Sequence, residues 1–181
     1  MKFTPAKIEG VFLIEPEVFC DARGFFLEAY RRDEFAKNGM PDEFVQDNHS
    51  RSAKGVLRGF HYQIAPFEQA KLVRVVRGSA FDAVVDIRKG SKTYGRHLAE
   101  ILTAENKKML YLPAGVAHAF LSLEDGTEFL YKVSKPYSPA HERGILWNDP
   151  EIGVAWPRLD IEYAFSEKDK KFPKLKDIRE S

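Results

Sequence analysis

Short runs rich in β-branched and aromatic residues recur at 11–14, 25–30, 71–77, 80–88, 108–112, 117–123 and 129–133, each bounded by turn-forming residues. Runs of this length and spacing predict an all-β fold, a sandwich or barrel, with a few short helices as decoration. With 181 residues and no repeat, low-complexity tract or Ser/Gly-rich linker, a single domain over 1–181 is expected. A domain of that size buries roughly 70% of its unfolded surface.

The clearest local pattern joins 71–77 to 80–88 through Gly78-Ser79, where glycine in the first loop position predicts a type II′ hairpin. In the second run Phe81, Ala83, Val85 and Ile87 alternate with Ala80, Asp82, Val84, Asp86 and Arg88. The alternation predicts one face on the core and one charged face. Helical signal is confined to 33–38, which ends at Gly39 with Pro41 beyond, and to a short C-terminal helix with Ser166 as its N-cap.

Charge and cysteine content narrow the partners. Lys+Arg number 28 against 27 Asp+Glu, a net charge of +1, so the broad basic field used to hold nucleic acid or an anionic membrane is missing. The opening MKFTPAKIEG carries no apolar core of a signal peptide, and no stretch nears the roughly 20 apolar residues of a membrane span. A cytoplasmic protein with a small-molecule partner is expected. Cys20 is the sole cysteine, which excludes an internal disulfide and a thiolate metal cluster.

Several polar residues sit where core would otherwise be expected. In VLRGFHYQ (56–63), Arg58 and His61 are three apart and face opposite sides of a regular strand; a bulge at Gly59 would bring them together. His118 follows the turn PAGVA, and His49 lies in QDNHS, which reads as a loop or strand edge. Three histidines invite a metal reading, but the His-x-His pair with a following Glu is missing. Gln63 is also a poor ligand, so no metal is expected. On composition alone Tyr131 and Tyr137 read as core or interface aromatics and Asp169 as a surface or capping carboxylate.

Longer stretches change that balance. VFLIEPEVFCDARGFFLEAY, FVQDNHSRSAKGVLRGFHYQ, QAKLVRVVRGSAFDAVVDIRKGSKTYG, LPAGVAHAF, EFLYKVSKPYSPAHERGILWNDPEIGVAWP and FSEKD follow in order from Val11 to Asp169, within a match that runs from about Ile8. Together they resemble the dTDP-4-dehydrorhamnose 3,5-epimerase family of jelly-roll (cupin) enzymes. The resemblance implies inversion at carbons 3 and 5 of a dTDP-linked 4-keto-6-deoxy sugar, with no cofactor. It assigns His61 as base, Asp169 as its carboxylate partner, Lys71 as the cation near the keto oxygen and Tyr131 as general acid. The binding shell it implies is Arg23, Glu28, Gln46, Asn48, Arg58, His118, Tyr137, Glu142 and Lys168, with Tyr137 stacked on the thymine. It also implies a homodimer in which Arg23 and Glu28 reach the partner's pocket.

Two positions depart from the family pattern: Pro136 stands where a second tyrosine is usual, and Phe60 replaces leucine. The first is expected to alter the rim near the sugar and the second to narrow the pocket. The rivals are a 3-epimerase, an enzyme acting on another nucleotide sugar, a metal-dependent cupin, and a non-catalytic sugar-nucleotide-binding cupin. The joint presence of His61, Asp169 and Tyr131 argues against the last.

Overall fold

A computed structural model of the chain describes residues 1–41 and 43–179. Two antiparallel sheets face each other. The first runs in the order β1 (Lys2–Pro5), β2 (Phe12–Glu15), β10 (Met109–Leu112), β7 (Lys71–Arg77), β12 (Thr127–Val133), β5 (Gln46–Ser52), and the second β13 (Glu142–Gly144), β6 (Leu57–Gln63), β11 (Val116–Ser122), β8 (Ser79–Asp86), β9 (His97–Thr103). Neighbours in these orders are mostly distant in sequence, as in a jelly roll. A separate hairpin pairs β3 (Val18–Asp21) with β4 (Gly24–Leu27).

Strand alternation divides the interior lengthwise. Val73, Val75, Ala80, Val84, Leu110, Leu112, Phe120 and Phe129 form an apolar half between the sheets. The same inward faces of β7, β8, β11 and β12 also carry Lys71, Asp82, His118 and Tyr131, because residues two apart share a face. The polar half of the interior is the cavity described below.

Both outer faces are partly covered. The short helix α1 (Arg32–Lys37) buries Phe35 beside Met40, Leu72 and Met109 on the first sheet, a burial worth about 2–3 kcal/mol for the phenyl group alone. Over the second sheet the segment after β13 lays Ile145, Ile152, Trp156 and Leu175 against Phe60, Ala83, Val85 and Ala119. Hydrogen bonds from Leu57 N–H to the Ala164 carbonyl and from Ala164 N–H to the Gly55 carbonyl, both 2.9 Å, tie that segment down.

Several expectations are corrected. No hairpin forms at Gly78: β7 and β8 belong to different sheets, and Gly78 (φ 71°) turns a corner between them. A side chain there would press into Thr127, its Cβ 2.7 Å from Oγ1. The charge-bearing face of β8 is not exposed, for Asp82 and Asp86 are both fully buried. The apolar face packs outward under the C-terminal segment. The QDNHS segment is not a loop but lies in β5, and the 25–30 run is extended only to Leu27. The helix 33–38 matches α1, while Ser166 is not the N-cap of a helix: it lies ahead of a 3-10 turn at Asp169–Lys171 whose cap position is Lys168, and its Oγ accepts the Asp169 N–H at 3.1 Å; the helix α2 (Leu175–Arg179) follows.

Candidate active site

The polar half of the interior opens as a cavity of about 320 Å³ lined by both sheets. From β5 come Gln46, Asn48 and Ser50, the alternate inward positions, so His49 faces away, half exposed and 3.2 Å from Glu128. His49 therefore cannot join His61 and His118. Among the described residues no three His, Cys, Asp or Glu side chains converge as a metal site.

The expected bulge at Gly59 is present. Against β11 the register shifts so that His61 pairs with His118 but Arg58 with Phe120, three residues opposing two. Gly59 adopts φ 119°, and a Cβ there would lie 2.5 Å from the Ala119 Cβ and the His118 carbonyl, so only glycine fits this approach. Arg58 and His61 consequently both line the cavity. Phe60, between them, points the other way into the outer cluster, its ring 5.9 Å from that of Trp156. It does not narrow the pocket.

His61 is held through Nε2, 2.7 Å from Asp169 Oδ1. Asp169 is itself 2% exposed. Burial pushes its carboxyl up, but the hydrogen bond and charge of His61, together with bonds at Ser166 and the Gly59 backbone, outweigh it and leave the group below the ordinary value. An anionic Asp169 is an acceptor for an Nε2–H, which favours the tautomer with Nδ1 as the free acceptor. The phenyl ring of Phe172 meets the imidazole edge-on at 5.6 Å and limits its rotation.

Lys71 enters from β7, only 7% exposed, with Nζ 3.3 Å from the His61 carbonyl. Burial pushes its ammonium down to about 8, against the pull of Glu142 and Asp82. Tyr131 enters from β12, and its phenol is raised by burial and Glu142 while Arg58 acts the other way, so it holds its proton at neutral pH. His118 lies deeper, Nε2 2.7 Å from Asp82 Oδ2.

The mouth is built around Glu142. Its Oε2 accepts from Tyr137 Oη at 2.8 Å and from Lys168 Nζ at 2.6 Å, and although burial raises it, these donors hold the carboxylate below its usual value. The loop carrying Tyr137 is pinned by three glutamines. Gln46 accepts the Tyr137 N–H at 3.0 Å; Gln63 accepts the Ser138 N–H and donates to the Phe67 and Pro136 carbonyls; Gln69 donates to the Lys135 carbonyl at 2.7 Å. Tyr137 is left 51% exposed, its ring free to meet a planar group.

Of the thirteen residues implied by the resemblance, His61, Lys71, Tyr131, Gln46, Asn48, Arg58, His118, Tyr137 and Glu142 line the cavity. Asp169 and Lys168 support it through His61 and Glu142. Arg23 and Glu28 do not reach it: Arg23 is 90% exposed in its side chain and ion-paired to Asp21 on the β3–β4 hairpin, and Glu28 lies 3.7 Å from Arg31. Ser50, Gln69, Phe120 and Asp82 went unnoticed in the sequence. For Asp82 and Phe120 the signal was present, since each lies an even number of residues from an inward-facing neighbour.

A jelly roll whose interior holds a carboxylate-oriented histidine, a buried lysine and a phenol defines an acid–base enzyme of the cupin class. The family model for dTDP-4-dehydrorhamnose 3,5-epimerase matches residues 5–177. The chain is 52% identical over 171 residues to the dTDP-4-dehydrorhamnose 3,5-epimerase of Pseudomonas aeruginosa, covering 94% of this chain and 93% of that protein. It superimposes with a TM-score of 0.93 on the Legionella pneumophila 3,5-epimerase in complex with dTDP-4-keto-L-rhamnose, at 40% identity over 97% of this chain and 93% of that one. A 3′-monoepimerase from Streptomyces bikiniensis in complex with dTDP-quinovose is also similar, with a TM-score of 0.91 and 38% identity over 98% and 89% of the two chains. The chain belongs to the dTDP-4-dehydrorhamnose 3,5-epimerase family.

Proposed function

We propose that this protein is a cofactor-independent isomerase that converts dTDP-4-dehydro-6-deoxy-D-glucose to dTDP-4-dehydro-L-rhamnose. The observation that carries the reading is one cavity holding the His61–Asp169 pair at 2.7 Å, the Lys71 ammonium and the Tyr131 phenol. Protons on carbons 3 and 5 flank the ketone and become removable when a base meets the C–H and a cation meets the incipient enolate oxygen. His61 Nδ1 takes the proton, Asp169 stabilises the imidazolium, and Lys71 stabilises the oxyanion. Tyr131 Oη returns a proton from the opposite face, and solvent restores both groups before the second carbon is treated the same way.

The nucleotide half is assigned to the mouth. Tyr137 stacks on the thymine, Arg58 and Lys168 meet the diphosphate, and Gln46, Asn48, His118 and Glu142 fix its orientation and that of the sugar. Arg23 and Glu28 serve a second copy of the chain: the β3–β4 hairpin exposes Phe19, Phe25 and Phe26 by 55, 59 and 69%, an apolar surface that a homodimer partner would cover. One jelly-roll domain per subunit suffices for the reaction. The exposed free thiol of Cys20 fits a reducing, cytoplasmic setting.

Proton NMR of the dTDP-4-keto-6-deoxy sugar in deuterated water tests the reading. Deuterium entering carbons 3 and 5 is the expected result. Entry at carbon 3 alone would reassign the protein as a 3-epimerase, and no exchange with intact dTDP binding would make it a binding protein.

A further inference from the structure

Asp82 has no part in the reaction as set out above, yet it is the least satisfied charged group near it. It is fully buried, its Oδ2 accepts from His118 Nε2 at 2.7 Å, and its Oδ1 is a buried atom with no hydrogen-bond partner. An unsatisfied buried carboxylate oxygen costs about 1–3 kcal/mol or more, so its presence calls for an explanation. Asp82 stands on the inward face of β8, across the interior from Lys71 on β7, and the two are close enough for each to be felt by the other.

We propose that Asp82 is a positioning residue for the epimerisation, holding His118 with its proton on Nε2 and keeping the Lys71 ammonium charged while the cavity works at neutral pH. The proposal rests on the epimerase reading of the site. With Nε2 committed to Asp82, His118 turns Nδ1 to the substrate as an acceptor. Lys71 faces Glu142 from β13, Asp82 from β8 and the His61 carbonyl from β6, with His118 and Tyr131 lining the same cavity and Arg58 at its edge. Asp82 and Glu142 are the carboxylates that oppose the loss of its proton to burial. Glu142 is occupied by Lys168 and Tyr137, whereas Asp82 is bonded through Oδ2 to His118 and has no hydrogen-bond partner at Oδ1.

The test is Asp82→Asn, which keeps the shape and removes the charge. In the deuterium-exchange assay kcat is expected to fall about tenfold or more with KM changed less than about threefold. The alkaline limb of the kcat/KM profile, expected near pH 8 in the wild type from Lys71, is expected to move to lower pH. A purely structural role would lower the folded fraction and leave that limb in place, which would overturn the proposal, as would wild-type kcat in the variant. A second measurement needs no variant and no turnover: ¹⁵N imidazole shifts of the native protein are expected to show His118 protonated at Nε2, and a proton on Nδ1 instead would sink the idea. Absence of exchange in the wild type would refute the epimerase reading while leaving the tautomer result to stand alone.

Discussion

Two histidine–aspartate pairs stand side by side, their histidines opposite each other on β6 and β11, each with Nε2 and a carboxylate oxygen 2.7 Å apart, and the surroundings make them different devices. His61 is 28% exposed in its side chain and its Asp169 3%; His118 is 9% exposed and its Asp82 wholly buried. Burial acts upward on both carboxyls. At Asp169 the imidazole, Ser166 and the Gly59 backbone outweigh it, whereas at Asp82 they have no counterpart beyond His118 and Lys71, and the group stays above its ordinary value. The same pair of residue types therefore gives an imidazole facing an anionic carboxylate where further donors surround that carboxylate, and a carboxylate strained by burial where they do not. The pH dependence of stability has opposite signs at the two sites. The interactions of Asp169 stabilise the fold above the carboxylate's unfolded value and are lost as pH falls through the lower folded one. The ionised Asp82 costs stability that acidification relieves.

The largest effect expected is at the outer pair. Replacing His61 with Ala removes the proposed base and is expected to lower kcat by roughly 10³-fold while leaving dTDP affinity near wild type by calorimetry; substantial retained turnover would dissolve the distinction between the pairs. Asp169→Asn leaves the imidazole in place but forfeits its orientation and the anion that stabilises imidazolium, an expected loss of roughly 10²-fold in kcat measured in the same assay.

Lys71→Met separates chemistry from folding. Because the folded protein holds this ammonium at about 8, well under its unfolded value, the charge destabilises the fold below that pH. The substitution is expected to raise unfolding free energy by up to about 3 kcal/mol at pH 7 while abolishing turnover. The gain should shrink between pH 8 and 10.5, and denaturant melts at a series of pH values measure it. The smallest effect is at Phe60→Leu, which trims the outer cluster beneath Trp156: about 1 kcal/mol of lost stability with kcat and KM within about twofold. A large change in KM would mean that the side chain bears on the pocket after all.

Much of the strand content was legible because period-2 patterning reports which residues share a face, and the Arg58-Gly59-His61 spacing announced a bulge that a strand with two functional residues three apart requires. Pairing was not legible. Gly78 signals a positive φ, and that same signal serves a hairpin or a corner between sheets; only long-range partners decide. The face of β8 was misjudged because charge alternating with apolar residues normally means solvent, and here the C-terminal segment covers the apolar side while the acidic side is buried, Asp82 against His118 and Asp86 against Arg88, Ser91 and Thr93. The catalytic assignments came from resemblance, since composition left Tyr131 and Asp169 as ordinary core and surface residues. Arg23 and Glu28, which the resemblance placed in the binding shell, do not line this subunit's cavity, and the reading that they serve a second copy of the chain stands or falls with the proposed homodimer.

The covering segment over the second sheet has a consequence in time as well as in space. His61 and Asp169 are separated by 108 residues, and the strands that form the cavity walls precede the segment that brings Asp169 into place. During synthesis most of the cavity walls are therefore made before the histidine's anionic partner, and the same late segment also brings the Ile145, Ile152, Trp156 and Leu175 cover of the second sheet, so assembling the His61–Asp169 pair and sealing the outer core are one late event.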